Sequence, residues 1–187
     1  IPNQYFECKL DYDKVEFNPD GISYQGIKAK KIVFCEGFQN IFNPFFNYLP
    51  LIGSKGEMLV IKCDQLEEKV IFKGPIFLSP IGEKKFWVGA TFNRFDKTTK
   101  VSEDGNLWLR SKLEKFFDLP YQILDHKAQI RATVIDRRPI LGIHPKNNRL
   151  FILNGLGTRG VLMAPLLSHW LYEFIEKQYE FPIEVSI

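Results

Sequence analysis

The sequence is poor in the residues that most often build metal centres and disulfide scaffolds. Its 187 residues include only three cysteines and three histidines, and no histidine stands at zinc-ligand spacing from another histidine or a cysteine. Cys8, Cys35 and Cys63 are odd in number and widely spaced, which argues against a disulfide framework and favours a reducing compartment. We therefore expect a cytoplasmic protein without a metal site.

Long apolar runs and an excess of one charge are also missing. The most apolar stretch, residues 161–175, is too short to span a bilayer and is interrupted by polar side chains. Lysine and arginine number 25 against 22 for aspartate and glutamate, a net charge of +3, so charge does not predict a nucleic-acid partner. The sequence contains neither a P-loop nor a G-x-S-x-G nucleophile elbow. These absences exclude a membrane span and most common catalytic classes.

What the sequence does contain is a succession of short strand patterns. Residues 14–17 and 22–25 flank Asn18-Pro19-Asp20-Gly21, whose proline and glycine are typical of a hairpin turn. Further strands are predicted at 29–35, 57–62, 70–72, 76–81, 85–92, 123–135 and 149–153, with helices at 103–117 and 161–178. Several links are so short that consecutive strands must run mostly antiparallel. The predicted fold class is α+β, with a mixed and mainly antiparallel sheet.

The glycine-rich segment GLGTRG, residues 155–160, follows a predicted strand and opens a predicted helix. It matches the G-x-G-x-x-G pattern, which makes an NAD-binding module one interpretation. That interpretation needs a second parallel strand after the helix, where the sequence has only residues 181–187. Under any ligand-binding interpretation, the glycines let the backbone approach another group, and the helix directs unpaired amides towards it. The remaining interpretation is a tight strand-to-helix turn without a ligand.

Two longer segments resemble a known family. RATVIDRRPILG (residues 131–142) and LFILNGLGTRGVLMAP (residues 150–165) resemble the C-terminal signature of the D-amino-acid oxidase superfamily of flavoproteins. Residues 32–37 (IVFCEG) look like the strand and glycine that close the crossover of its flavin domain, and residues 88–91 (VGAT) like a strand of its substrate domain. Within the superfamily the sequence is similar to the glycine oxidase and sarcosine oxidase group, and to the oxidase half of the bifunctional enzyme that modifies the tRNA wobble uridine.

The resemblance implies FAD as cofactor and oxidation of the C–N bond of a small amine or amino acid, with hydride transfer to the flavin. It places the loop after Leu153 against the isoalloxazine ring, where the helix N-terminus would stabilise the negative charge that develops on the ring. An ordinary solvent-facing turn residue is the alternative for the arginine of this loop. The cofactor-binding residues that the resemblance implies are Gly155, Gly157, Thr158, Arg159, Gly160 and Val161.

Arg131 is implied as the substrate-binding residue, because an arginine at this place in the glycine oxidase group clamps the substrate carboxylate. A planar guanidinium suits a carboxylate and would orient the neighbouring C–H bond towards the flavin. The alternatives are an ion pair with Asp136 or a charge at a sheet edge. No catalytic side chain is predicted, because an amine that binds deprotonated needs only positioning and an electron acceptor. The group's second loop arginine falls on Thr158, which leaves the identity of the substrate open.

The family binds the ADP part of FAD with an N-terminal Rossmann unit, and no strand-G-x-G-x-x-G-helix pattern precedes Ile32. Because the chain also starts without methionine, we expect the C-terminal portion of a longer enzyme, with the N-terminal half as its partner. Residues 1–52 are predicted to belong to the FAD-binding domain, residues 53–135 to an antiparallel substrate-binding domain, and residues 136–187 again to the FAD-binding domain. The chain alone would then bind FAD poorly and be inactive. A non-catalytic β-rich interaction domain using the aromatic segment 38–48 is a further alternative.

Overall fold

The computed structural model describes residues 5–187, which form two compact units. The first unit combines residues 5–51 with residues 134–187, and the second consists of residues 52–133. Ile1, whose place at the start of the sequence predicts a longer parent chain, lies outside the described residues. The chain therefore leaves the first unit once, builds the second and returns.

Strands dominate the regular structure of residues 5–187. The strands are β1 (Glu16–Asn18), β2 (Gly21–Tyr24), β3 (Ile27–Ala29), β4 (Ile32–Phe34), β5 (Ser54–Lys62), β6 (Phe72–Lys73), β7 (Phe77–Gly82), β8 (Lys85–Gly89), β9 (Gln122–Arg131), β10 (Ile140–His144) and β11 (Asn147–Asn154). The α-helices are α1 (Glu103–Leu113) and α2 (Gly160–Lys177), and 3₁₀ turns lie at Tyr12–Lys14, Gly37–Phe42, Gly157–Arg159 and Ile183–Val185. None of the described helices has both the length and the apolar character that a bilayer span requires. Within the same residues, no group of three or more candidate ligands is placed to hold a metal ion.

The first unit contains two small sheets and the long helix α2. Strands β1, β2 and β3 form an antiparallel meander. In the second sheet β10 and β11 are antiparallel, whereas β11 and β4 are parallel, with Leu150 opposite Ile32. This parallel pair joins the early and late parts of the chain. The core between α2 and the second sheet contains Leu141, Phe151, Leu167 and Leu171.

The second unit is a five-stranded antiparallel sheet, in the order β6-β7-β8-β5-β9, and α1 packs against β5 and β8. Leu59 and Ile61 of β5 are fully buried in the core that Leu109 and Leu113 of α1 complete. Because alternate residues of a strand share a face, Lys55 and Glu57 belong to this helix-covered face of β5. Gly56 and Met58 belong to the opposite face, where Arg131 of β9 also lies, paired across the ladder with Ser54.

The structure confirms the predicted fold class, and the predicted hairpin forms between β1 and β2. The predicted strand 29–35 is instead divided, because Ala29 ends β3 in one sheet and Ile32–Phe34 pairs as β4 with β11 in the other. Between the two strands, Nζ of Lys31 donates to the carbonyl oxygen of Ile175 (2.8 Å) near the end of α2. The predicted helix 103–117 ends at Leu113, after which a turn closes. Both differences come from hydrogen bonds that the hydrophobic pattern does not encode.

Candidate functional site

The glycine-rich loop connects β11 to α2 in the first unit. Gly155 and Gly157 have φ angles of 72° and 57°, in the left-handed region that favours glycine. A Cβ atom at Gly155 would lie 2.8 Å from Cγ2 of Val134, so no side chain fits there. Asn154 orders the start of the loop, since its Oδ1 accepts from the Gly155 amide (2.8 Å) and its Nδ2 donates to the carbonyl oxygen of Gly37 (2.9 Å). The fold itself therefore requires the first two glycines.

Gly160, the first residue of α2, has a different environment. Its backbone is helical (φ −53°, ψ −48°), and a Cβ atom there would meet nothing closer than the side chain of Leu156 at 3.5 Å. No side chain caps α2, so its first amides are available to another group. Val161 and Leu162 beside them are 97% and 78% exposed. This open helix end, with amide donors among apolar side chains, suits a flat and electron-rich group.

The other predicted residues of the loop, Thr158 and Arg159, lie in the 3₁₀ turn before α2 and are exposed. The structure therefore brings all six predicted cofactor residues together in one segment of the first unit. Exposure leaves Arg159 available either to a ligand or to solvent, so both interpretations of this arginine stay open.

Arg131, the predicted substrate residue, is the last residue of β9 in the second unit. The predicted extended run 123–135 stops at this residue. The guanidinium of Arg131 lies over Gly56, and its Nη1 donates a long hydrogen bond to the carbonyl oxygen of Thr91 (3.5 Å). It is partly buried, and burial lowers the pKa of its guanidinium. Within the second unit, residues 52–133, no carboxylate lies within 4.0 Å of its side-chain nitrogens. In the first unit, Asp136 accepts from the amide of Arg138 (3.0 Å).

A buried polar network on the helix-covered face of β5 was not predicted from the sequence. The Glu57 carboxylate accepts from the amide and the hydroxyl of Ser102, both at 2.8 Å, and lies 3.0 Å from Nε2 of His126. Lys55, 2% exposed, lies 3.4 Å from Glu57 and donates to Asp96 at 2.6 Å. The alternation of Lys55 and Glu57 in an otherwise apolar strand is the signal that could have revealed the network.

In this network, hydrogen bonds and neighbouring charge outweigh burial in setting the pKa values of the acidic side chains. Burial would raise the pKa of Glu57, but hydrogen bonds from Ser102 and the charge of Lys55 hold that pKa below its usual value. Hydrogen bonds from Lys55, the largest cause, and from Thr98 lower the pKa of Asp96 from 3.8 to about 2. The hydrogen bond to Asp96 raises the pKa of Lys55. Lys55, Glu57 and Asp96 are therefore all charged at neutral pH.

The fold is that of the D-amino-acid-oxidase class of flavoenzymes. An iminodiacetate oxidase from Chelativorans sp. superposes with a TM-score of 0.72 at 20% identity, over 92% of this chain and 51% of that chain. A glycine oxidase from Geobacillus kaustophilus gives a TM-score of 0.68 at 21% identity, over 82% of this chain and 43% of that chain.

The sequence itself matches the FAD dependent oxidoreductase family (DAO) over residues 12–174. The chain belongs to this family. It is also 23% identical over 191 residues to the tRNA 5-methylaminomethyl-2-thiouridine biosynthesis bifunctional protein MnmC of Marinobacter nauticus, covering 87% of this chain and 30% of that protein. The chain thus spans about a third of this relative and about half of the similar structures.

These findings favour FAD over the two alternative interpretations. The match to the FAD dependent oxidoreductase family favours FAD over NAD. After α2, the described residues form a 3₁₀ turn at Ile183–Val185 and an isolated parallel bridge between Ser186 and Leu141. In the aromatic segment proposed for a binding partner, Phe46 is fully buried and packs edge-on against Phe34. That segment contributes at least partly to the core of the first unit.

Proposed function

We propose that the protein containing this chain oxidises the C–N bond of an amine or amino acid to an imine, with FAD as the electron acceptor. The observation that carries the proposal is the partly buried guanidinium of Arg131, which has no carboxylate partner within the second unit. Such a cation favours an anionic ligand, because a planar guanidinium binds a carboxylate through two charge-assisted hydrogen bonds. The names of two similar structures, a glycine oxidase and an iminodiacetate oxidase, support an amino carboxylate as the substrate class.

Arg131 would bind and orient the substrate. One of its guanidinium nitrogens contacts the Thr91 carbonyl oxygen, which leaves most of its five N–H donors for a ligand. Holding the carboxylate fixes the direction of the neighbouring C–H bond, and such positioning supplies much of the rate of an intramolecular reaction. Loss of a hydride from that carbon and of a proton from the nitrogen gives the imine. No side chain is assigned as a base, because the amine binds deprotonated.

The loop of the first unit would hold FAD through Gly155, Gly157, Thr158, Arg159, Gly160 and Val161. The environment of Gly160 supports this assignment, because its missing side chain serves no contact within the unit and leaves the start of α2 open. FAD, when bound, supplies the acceptor for a hydride. The first amides of α2 favour an electron-rich group at this position, and they are preorganised to stabilise negative charge as it develops.

The whole protein is expected to contain more than this chain. The family needs residues for the ADP part of FAD, which the missing N-terminal half would supply, so that the chain alone would bind FAD poorly and be inactive. The name of the Marinobacter nauticus relative concerns tRNA biosynthesis, so an amine carried on tRNA falls within the proposed class of substrates. The three unpaired cysteines of the described residues agree with a cytoplasmic location.

The test uses the protein that contains this chain, purified with FAD bound. Arg131→Gln removes the cation, and we expect the KM for N-methylglycine to rise about 10- to 100-fold, because a hydrogen-bonded charged contact contributes about 1.5–3 kcal/mol. The FAD content should not change. Initial rates at varied substrate concentration and the flavin absorbance of each variant measure the two quantities.

Lys127→Gln is the matched control. Lys127 lies on the same strand, is exposed and pairs with Asp125 at 3.3 Å, so its removal should leave KM unchanged. An unchanged KM in Arg131→Gln would remove Arg131 from the site. Failure of N-methylglycine and other amines to reduce the flavin under anaerobic conditions would overturn the proposed reaction.

A further inference from the structure

We infer that Gly56 and Thr91 are positioning residues that fix where Arg131 presents its guanidinium to the substrate carboxylate, a role that rests on the proposed function. A Cβ atom at Gly56 would lie 2.1 Å from Nη2 of Arg131 and 2.4 Å from its Cζ and Nη1. Gly56 lies within β5, and its backbone is not in the left-handed region. The backbone therefore does not require glycine there, whereas the position of the guanidinium does.

Thr91 also contacts the guanidinium. Its carbonyl oxygen accepts a long hydrogen bond from Nη1 of Arg131 (3.5 Å). Its own place is set by two hydrogen bonds with the backbone of Glu57, since the Thr91 amide donates to the Glu57 carbonyl oxygen (3.0 Å) and the Glu57 amide donates to Oγ1 of Thr91 (2.8 Å). Two neighbouring residues of β5 therefore act on the guanidinium: Gly56 contacts it directly, and the backbone of Glu57 holds Thr91 in place.

The side chain of Glu57 anchors that stretch on the opposite face. Both of its carboxylate oxygens accept hydrogen bonds from Ser102, and Lys55 and His126 lie beside them. Glu57 is the one acidic residue of β5. Its carboxylate is already hydrogen-bonded on the helix-covered face of the sheet, so it does not neutralise the guanidinium of Arg131 on the opposite face. These contacts hold β5 in place on its helix-covered face. They leave the charge of Arg131 available to a ligand.

The central variant is Gly56→Ala, which the strand backbone accepts but the guanidinium does not. The contacting atoms belong to the far end of a flexible side chain, so we expect the guanidinium to move and the fold to persist. Misplacement of a positioning group by about 1 Å can cost about 100-fold in rate. We expect the ratio of kcat/KM for N-methylglycine to that for its neutral analogue N-methylglycinamide to fall about tenfold or more. The FAD content and the far-ultraviolet circular dichroism should match those of the wild type.

A double-mutant cycle separates this inference from the proposed function. If Gly56 acts through Arg131, Gly56→Ala has no further effect on the ratio once Arg131→Gln is present. An effect of the same size in both backgrounds would overturn the positioning role while leaving the proposed function intact. A wild-type protein that oxidises both compounds without preferring the carboxylate would overturn the positioning role together with the assignment of Arg131, whereas failure to oxidise either compound would overturn the proposed reaction.

Two further measurements complete the test. A crystal structure of Gly56→Ala with the guanidinium in its wild-type place would overturn the inference without reference to activity. Thr91→Ser keeps both the carbonyl and the hydroxyl and should preserve the substrate ratio, whereas Thr91→Val removes the acceptor for the Glu57 amide and should lower it. Equal ratios in the two Thr91 variants would exclude Thr91 from the positioning role.

Discussion

Two cations near the start of β5, Lys55 on that strand and Arg131 on the neighbouring β9, differ in whether an acid neutralises them. Lys55 is almost fully buried and is neutralised by Asp96 and Glu57. Arg131, on the other face, is only partly buried and has no acidic neighbour within ion-pair distance in the second unit. A desolvated charge without a counter-ion is unfavourable unless something else compensates it. The contrast separates a cation that stabilises the fold from one that is available to a ligand.

The Lys55–Asp96 ion pair makes the stability of the second unit depend on acidic pH. Hydrogen bonds from Lys55, the largest cause, and from Thr98 lower the folded-state pKa of Asp96 from 3.8 to about 2. Their contribution to stability is fully present above the higher value and is lost as the pH falls through the lower one. We expect Asp96→Asn to lower the free energy of unfolding at neutral pH, and the difference from wild type to shrink towards the lower pKa. Urea unfolding at a series of pH values measures this difference.

Asp64→Asn is the control for that experiment. Asp64 pairs with Lys62 at 3.4 Å but is 75% exposed, so solvent screens its interaction and little change is expected. A difference between wild type and Asp96→Asn that stays constant with pH would show that the Lys55–Asp96 ion pair is not its source.

Among the elements, α1 depends on one residue at its start. The hydroxyl of Ser102 accepts from the Gly105 amide (3.0 Å) as an N-cap and also donates to Glu57 (2.8 Å). Ser102→Ala removes the cap, which costs about 1 kcal/mol, and deprives a buried carboxylate of a donor, which costs about 1–3 kcal/mol. We expect the free energy of unfolding to fall by about 2 kcal/mol or more in urea titrations.

Ser111→Ala tests whether that loss is specific to the cap. Ser111 lies in the same helix, is exposed, and its hydroxyl donates only to the Trp108 carbonyl oxygen (2.8 Å). Alanine is a better helix former than serine, so no loss is expected. Equal destabilisation by the two variants would contradict the role given to Ser102.

The elements also show what the sequence predicts and what it does not. The loop 155–160 and α2 are predictable because a local glycine pattern, an apolar period and a compatible early proline coincide. The break between β3 and β4 is not, because β4 pairs with β11, a strand far away in the sequence, and so belongs to a different sheet from β3. The assignment of Arg131 comes from a family resemblance, and its contact over Gly56 requires knowledge of how β5 pairs with β9.

The network around Glu57 could not be predicted from the sequence for the same reason. Ser102 and His126 approach Glu57 only after α1 and β9 have packed on β5. Local patterns report the period of a single element, whereas such a cluster depends on the register between elements. The sequence signal for such a cluster is the presence of polar residues inside an apolar strand.

For the whole molecule, the decisive property is retention of FAD. Gly160→Val places a branched side chain at the open start of α2, where the described residues leave space. If the flavin occupies that space, overpacking of about 1–3 kcal/mol should weaken FAD binding about 5- to 150-fold. The ratio of flavin to protein absorbance after gel filtration of the complete protein measures this loss.

Ser168→Val, at an exposed position further along α2, is the matched control and should keep its flavin. Both variants add the same β-branched residue to the same helix. Valine has a higher helix propensity than glycine and a propensity similar to that of serine, so loss of helix propensity does not explain a loss of flavin in Gly160→Val. Full flavin retention by Gly160→Val would place the cofactor elsewhere.

The way the chain leaves and re-enters the first unit has an evolutionary consequence. Within the second unit, the amide of Ile52 donates to the carbonyl oxygen of Thr133 (2.9 Å); within the first, Leu51 is bridged to Val134. The ends of residues 52–133 are therefore neighbours, as in insertions that a host domain tolerates. Residues 52–133, which include Arg131, can therefore be replaced in evolution as one unit. Such a replacement leaves intact the parallel pair β4–β11 and the loop before α2, which belong to the first unit.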